Sequence, residues 1–220
     1  MPARKQSAHP FIARVSDRTL LKNLESLRQK ALDLGASGAE IIQAGQVVVD
    51  ERVRLKCLIP RCLRAGETPN CPPNAPELDL VRKAFARYTH AILLKTNVQP
   101  IEAYSPKSGK DSSGVDKTLL FHQKSAKLVS AIERLAYKQG YYLAMGLGGG
   151  SCKDYLCQGL VCQFKDSGRC RFPLQSRPAM EALGIDVFNL INKVGWDMYP
   201  LFDGPEKIPC AISVGLVFIH

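Results

Sequence analysis

The sequence predicts an α/β fold, in which helices pack on a mixed β-sheet within a single domain. Segments with helical periodicity alternate with short apolar segments along the 220-residue chain, which is the pattern of such folds. Hydrophobic residues make up 45% of the chain, and this share is large enough for a core without disulfides. We expect residues 16–220 to form this domain and residues 1–15 to form a flexible tail.

The residue pattern at the N-terminal end of the domain predicts one long helix followed by two strands. The helix starts near Ser16 and ends at Gly35, and its apolar residues recur on one face. These residues are Leu20, Leu21, Leu24, Leu27, Ala31 and Leu34. Residues 39–57, AEIIQAGQVVVDERVRLKC, alternate like two short strands that turn at Ala44 and Gly45. We therefore expect the chain to leave this segment as a strand.

The remaining elements continue the alternation of helices and strands. Helices are predicted at 76–89, at 118–140 and at 178–194, the last with an interruption at Gly184. Strands are predicted at 90–98, at 141–150 and at 210–219. The polar, turn-rich residues 99–117 predict a loop.

Seven of the eight cysteines fall in two short segments, 57–76 and 151–177, which we place as loops at the ends of strands. Prolines interrupt both segments, so that neither can form a long helix. The spacing is C-x4-C-x8-C in the first segment and C-x4-C-x4-C-x7-C in the second. The candidate metal ligands are Cys57, Cys62, Cys71, Cys152, Cys157, Cys162 and Cys170, with Cys210 alone near the C-terminus.

The compartment decides how these cysteines are interpreted. The N-terminus has no apolar core of a signal peptide, and no segment approaches the ~18 apolar residues of a membrane span. We therefore expect a cytoplasmic protein without a membrane span. Reducing compartments keep thiols unpaired, so clustered cysteines there indicate metal ligands more often than disulfides.

The spacing favours iron-sulfur clusters over zinc. Zinc sites usually use C-x2-C pairs, which this chain lacks, whereas wider gaps suit the larger [4Fe-4S] cluster. Backbone amides at Gly148, Gly149 and Gly150 could approach cluster sulfurs closely. We expect two [4Fe-4S] clusters, one bound by the four cysteines of 151–177. The first segment offers three thiolates, so Cys210, a non-cysteine ligand or an open iron completes its cluster.

Four stretches, RLKCLIPRC, CPPNAPELD, GGGSC and CRFPLQSRPAMEALGIDVF, carry a resemblance to a known family. From about residue 16 to the final strand, the chain resembles the cysteine-rich family of unknown function described as predicted metal-binding proteins of anaerobic bacteria and archaea. The resemblance implies metal binding by the matching cysteines, and it includes Arg177, Pro178, Glu181, Gly184 and Asp186. Arg177 is a candidate donor to a cluster or an anionic ligand, and a salt bridge is the alternative role.

These observations predict an iron-sulfur protein of electron transfer or redox chemistry in an anaerobic pathway, working with a redox partner protein. They leave open whether it is an oxidoreductase or a redox accessory protein, and whether an open iron binds a small anionic ligand. A zinc-stapled interaction module with a basic surface is the alternative. The net charge is +10, but the basic residues are scattered, so nucleic acid is not expected as a partner. Histidines, including His122, are interpreted as surface or packing residues.

Overall fold

The computed structural model describes residues 11, 14–98, 117–158, 160–199 and 209–220, with the backbone alone at 117–121. The predicted tail at 1–15 and the predicted loop at 99–117 lie almost entirely outside these ranges. Within the ranges, no helix is both long enough and apolar enough to cross a membrane.

A four-stranded antiparallel sheet lies at the centre of the domain. Its strands are β1 (Gly38–Gln43), β2 (His90–Val98), β3 (Met145–Leu147) and β4 (Ala211–Phe218), in the order β1-β2-β4-β3. The predicted α/β class is confirmed. The expected mixture of strand directions is wrong for the named strands, because β4 inserts between β2 and β3 and runs opposite to both. In the described chain, a parallel pairing occurs only as the isolated bridge between Gly148 and Ala179.

Helices cover both faces of this sheet. They are α1 (Asp17–Asp33), α2 (Glu51–Leu55), α3 (Leu78–Phe85), α4 (Lys117–Lys138), α5 (Phe164–Ser167) and α6 (Val187–Lys193). Alternate residues of β2 point to opposite faces, so Ile92 and Leu94 pack with α1 and α4. Ala91 and Leu93 pack with α3 and α6 on the other face. The sheet is therefore the middle of three layers.

The predicted first helix is confirmed as α1. The side chain of Ser16 accepts a hydrogen bond from the amide of Thr19, so this residue caps the helix as the sequence indicates. Gly35 follows the helix with φ +99°, a conformation that glycine adopts readily. Leu20, Leu24 and Leu27 are buried on the face that meets the sheet.

The second strand predicted within 39–57 is wrong. Residues Ala44–Gln46 form a 3-10 helix, and α2 occupies the place of the expected strand. Asp50 causes this change, because its side chain accepts from the amide of Arg52 at 2.7 Å and starts the helix. Its cap outweighs the strand preference of the preceding valines. The chain therefore enters the first cysteine segment from a helix.

The helix predicted at 178–194 is confirmed only in its second half. A short 3-10 helix, Glu181–Leu183, ends at Gly184 with φ +75°. Asp186 then caps α6 by accepting from the amide of Asn189 at 3.0 Å.

Two glycines allow α4 to approach the sheet closely. Gly146 on β3 and Gly215 on β4 face Val129 of α4. A Cβ atom at Gly146 would lie 2.5 Å from a methyl carbon of Val129, and one at Gly215 would overlap the other methyl carbon. The glycines therefore set the height of α4 above the sheet.

Gly215→Ala should lower the stability of the protein by about 1–3 kcal/mol, because the new methyl group overpacks the contact with Val129. Urea unfolding midpoints would measure the loss, and adding Val129→Ala should recover part of it. Gly45→Ala is the control, since no atom lies within 4 Å of the added carbon. An unchanged midpoint for Gly215→Ala would contradict the close approach.

Candidate metal centre

Three thiols of the first cysteine segment face one cavity. Cys57, Cys62 and Cys71 line a space of about 290 Å³. Burial raises the pKa of Cys57, and the neighbouring thiols of Cys62 and Cys71 raise it further. The three sulfur atoms therefore form one electrostatic group, which we call the first thiol set.

Consecutive turns hold the first thiol set in place. The amide of Cys62 donates to the carbonyl of Cys57 at 3.0 Å, and the amide of Ala75 donates to the carbonyl of Cys71 at 3.1 Å. The amide of Arg64 approaches the sulfur of Cys62 at 3.5 Å. The backbone of this proline-rich segment thus satisfies many of its own polar groups.

The buried side chain of Arg54 ties this segment to a distant part of the chain. Its guanidinium donates to the carbonyls of Ala75, Pro76 and Ala182, at 3.2, 3.3 and 2.5 Å. Its positive charge also lowers the pKa of Cys57, opposing the neighbouring thiols. Arg54 therefore joins the first cysteine segment to Ala182, which lines the cavity, and favours the thiolate form of Cys57.

His122 of α4 lines the same cavity, a position that the sequence did not indicate. Its Nδ1 atom lies 2.9 Å from the hydroxyl of Ser213 on β4. Burial lowers the pKa of His122 to about 4, so its ring is neutral at physiological pH. No neighbouring histidine or cysteine at helical spacing marks this residue, and its contacts lie far away in sequence.

The glycines after β3 make room for His122. A Cβ atom at Gly149 would lie 2.9 Å from Nδ1 of the ring, and one at Gly150 would overlap the ring. The amide of Gly148 donates to the carbonyl of Pro178 at 2.9 Å. That these amides bind a cluster stays a prediction, whereas their contacts explain the glycine run by packing.

The segment that begins at Arg177 contributes Ala179, Glu181 and Ala182 to the lining of the cavity. Glu181 lines it, and burial raises the pKa of this carboxyl group. Asp186 of the same segment is not among the residues that line the cavity, and it caps α6.

Cys157, Cys162 and Cys170 form a second thiol set. Burial raises the pKa of Cys157 most, Cys162 and Cys170 raise it further, and Arg171 lowers it. The amide of Phe172 lies 3.3 Å from the sulfur of Cys170. This set repeats the features of the first one, namely three coupled thiols, an amide directed at sulfur and a nearby arginine.

Cys152 and Cys210 lie outside both sets. The thiol of Cys152 accepts a hydrogen bond from the side chain of Asn70 at 3.4 Å. Burial raises the pKa of this thiol, and the nearby thiol of Cys71 raises it further. It therefore faces the first cysteine segment, although its spacing suggested the second. The thiol of Cys210 donates to the carbonyl of Ala211 at 2.9 Å, and this residue is not among those lining the cavity. Their roles as ligands stay predictions.

Ion pairs join the two cysteine segments. Glu67 of the first segment contacts Lys153 at 2.5 Å and Lys165 at 3.3 Å. Arg64 pairs with Asp154, which lies between the cysteines of the second segment. The two segments therefore form one surface of the domain.

Arg177 anchors the second segment to α4. Its guanidinium pairs with Glu133 at 2.7 Å and donates to the carbonyls of Pro173 and Ser176. Glu133 also accepts from the amide of Gly146 on β3 at 3.1 Å. These contacts favour a structural role for Arg177, and anion binding by it stays a prediction.

The cysteines of the first segment are arranged around a space and do not converge on one point. In the described ranges, no three His, Cys, Asp or Glu side chains are arranged to hold a single metal ion. The first thiol set instead surrounds an open cavity. Separate sulfurs around a space fit a multi-atom cluster, whose iron atoms each bind a different ligand.

The side chain of Tyr155 gives a second indication that these residues fit a metal cluster. Its hydroxyl is buried and has no hydrogen-bond partner among the described residues. The thiols of Cys152 and Cys71 both raise the pKa of this phenol, in addition to burial. Since buried polar groups normally have partners, an acceptor such as a cluster sulfur or a thiolate fits beside it.

Arg54→Met should lower the free energy of unfolding by about 1–3 kcal/mol, because three carbonyl groups lose their donor. Arg52→Met is the matched control on the same helix and should change stability little, since water screens the exposed ion pair of Arg52 with Asp50. Thermal unfolding of both variants would measure the difference. Equal losses would contradict the role given to Arg54.

The comparison with protein families was significant across most of the chain. Residues 40–219 match the family described as "Predicted metal-binding protein (DUF2284)". The matched range includes both thiol sets, Arg54 and His122. No curated protein and no solved structure is significantly similar to the chain. The match spans well over half of the sequence, and the chain therefore belongs to this family of predicted metal-binding proteins.

Proposed function

We propose that the protein binds two iron-sulfur clusters, of the [4Fe-4S] type, and transfers electrons in an oxygen-sensitive pathway. The observation that carries the proposal is the separation of six cysteines into two coupled thiol sets, 57/62/71 and 157/162/170. Each set would hold one cluster, and bound clusters supply one-electron redox chemistry.

The arrangement favours clusters over structural zinc. A structural zinc ion needs four ligands at about 2.0–2.3 Å around a single point. The first thiol set lines a cavity of about 290 Å³, and no three His, Cys, Asp or Glu side chains of the described chain are placed to hold a single ion. Soft thiolates around a larger space are the donor set that iron-sulfur clusters use.

The surroundings of both sets suit negative charge. Arg54 lowers the pKa of Cys57, and Arg171 lowers the pKa of Cys157. Amides are directed at the sulfurs of Cys62 and Cys170. Hydrogen bonds and cations near sulfur stabilise the more negative, reduced state of a cluster.

Exposed apolar side chains support docking of a redox partner protein at the two cysteine segments. Ile59 and Leu63 of the first segment expose 69% and 80% of their surface. Leu160, Val161 and Leu174 of the second segment are also exposed. Exposed apolar groups concentrated around a site are typical of protein contacts.

Anaerobically purified protein should contain about eight iron and eight sulfide per chain, the content of two [4Fe-4S] clusters. Cys57→Ser and Cys157→Ser should each lose about half of the iron, because a hydroxyl is a poor substitute for thiolate. The double variant should lose nearly all of it. Absorbance near ~400 nm that bleaches on reduction provides a second measurement.

Cys210→Ser tests the cysteine near the C-terminus in the same experiment, and full iron content in this variant would exclude it as the missing ligand of the first cluster. A colourless protein that binds zinc and no sulfide would overturn the proposal in favour of the zinc module. Loss of all iron from either single variant would show one merged site in place of two.

Removal of the metal should expose both cysteine segments to protease, because the clusters would constrain chain that otherwise rests on turns and ion pairs. Trypsin cleavage after Arg61, Arg64 and Lys153 should accelerate at least tenfold on chelation. Cleavage after Arg28 in α1 should change little, and mass spectrometry of the fragments separates these sites. Equal rates with and without metal would contradict this expectation.

A further inference from the structure

We propose that His122 completes the first thiol set as its fourth ligand, through Nε2, and that Ser213 positions the ring. This inference rests on the proposed iron-sulfur function. His122 would then take the fourth position, for which the sequence left Cys210, a non-cysteine ligand or an open iron as alternatives.

The position of the imidazole carries the inference. His122 lines the cavity together with Cys57, Cys62 and Cys71. The Nε2 edge of its ring lies against Gly150, which lines the same cavity. The α4 helix therefore brings one nitrogen donor to a space that already has three sulfur donors.

The contact with Ser213 is the kind that metal-binding histidines have. When the Nδ1–H group donates to the serine hydroxyl, 2.9 Å away, the Nε2 atom carries the lone pair that a metal needs. Ligating histidines almost always use their second nitrogen in this way. Ser213 is buried on β4, so it fixes the orientation of the ring.

The backbone around the ring is built to accept it. Side chains at Gly149 or Gly150 would collide with the imidazole, and Gly150 has φ +65°, which favours glycine. The two glycines therefore let the ring lie at the edge of the cysteine-lined cavity. The contacts with Gly149 and Gly150 keep the imidazole ring between the sheet and the cavity.

The other candidates for the fourth position fit less well. Glu181 lines the cavity, but a carboxylate is a hard ligand and would add a fourth negative charge beside three thiolates. Cys152 and Cys210 are not among the residues that line the cavity. The thiol of Cys152 accepts from Asn70, and that of Cys210 donates to a carbonyl oxygen.

A neutral nitrogen ligand has a definite consequence for the cluster. It leaves one negative charge fewer than four thiolates do, and replacing cysteine by histidine raises the reduction potential of iron-sulfur centres. The first cluster would therefore have a higher potential than one held by four thiolates. With four protein ligands, the first cluster has no exchangeable iron and suits electron transfer more than substrate binding.

Pulsed EPR on reduced protein labelled with ¹⁵N-histidine tests the assignment directly. The wild type should show a hyperfine coupling to a histidine nitrogen, and His122→Ala should lose both the coupling and about half of the iron. His122→Cys should lose the coupling but retain the iron, which shows that the variant folds. His90→Ala is the control and should keep both, because His90 contacts Gln43 and Thr89.

Ser213→Ala tests the positioning role, and it should retain iron while altering the coupling and the potential of one cluster. Full iron and sulfide content without any histidine coupling in the wild type would overturn the inference and leave the proposed function intact. Retention of the coupling in His122→Ala would also overturn it. Absence of iron and sulfide from the wild type would instead defeat the proposed function itself.

Discussion

The buried guanidinium of Arg54 is the interaction on which the cavity depends. Its three carbonyl acceptors belong to two parts of the chain, the end of the first cysteine segment and the 3-10 helix at Ala182. Carbonyl oxygens solvate a cation without neutralising it, so the charge of Arg54 still acts on Cys57 and lowers its pKa. A single side chain thus holds Ala182, which lines the cavity, against the first cysteine segment and favours the thiolate form of a proposed ligand.

The close packing of α4 sets the other wall. Val129 fits over Gly146 and Gly215, and His122 lies two turns earlier on the same side of the helix. Because the glycines let the helix come close to the sheet, the imidazole reaches both Ser213 and the glycines after β3. The position of His122 is therefore a consequence of core packing, and bulkier residues on β3 or β4 would lift the ring away from the cavity.

Local signals in the sequence predicted much of the fold and part of the site. The periodicity and cap of α1 and the apolar runs of β2 and β4 were sufficient, because these elements depend on neighbouring residues. The strand expected before Cys57 was wrong, since a cap at Asp50 and burial of Arg54 outweighed local strand preference. The contacts of His122 and Arg177 were invisible, because their partners lie 91 and 44 residues away.

The first thiol set extends from the surface into the core, and this gradient bears on its chemistry. Cys62 is exposed, Cys57 is partly buried and Cys71 is buried. The exposed edge suits the proposed electron transfer, because a redox partner would have to approach the thiol set closely. The exposed side chains of Ile59 and Leu63 flank this edge and can exclude water when a partner docks. Further in, Cys57 is partly buried, and the lower dielectric there strengthens the effect of Arg54 on its thiol.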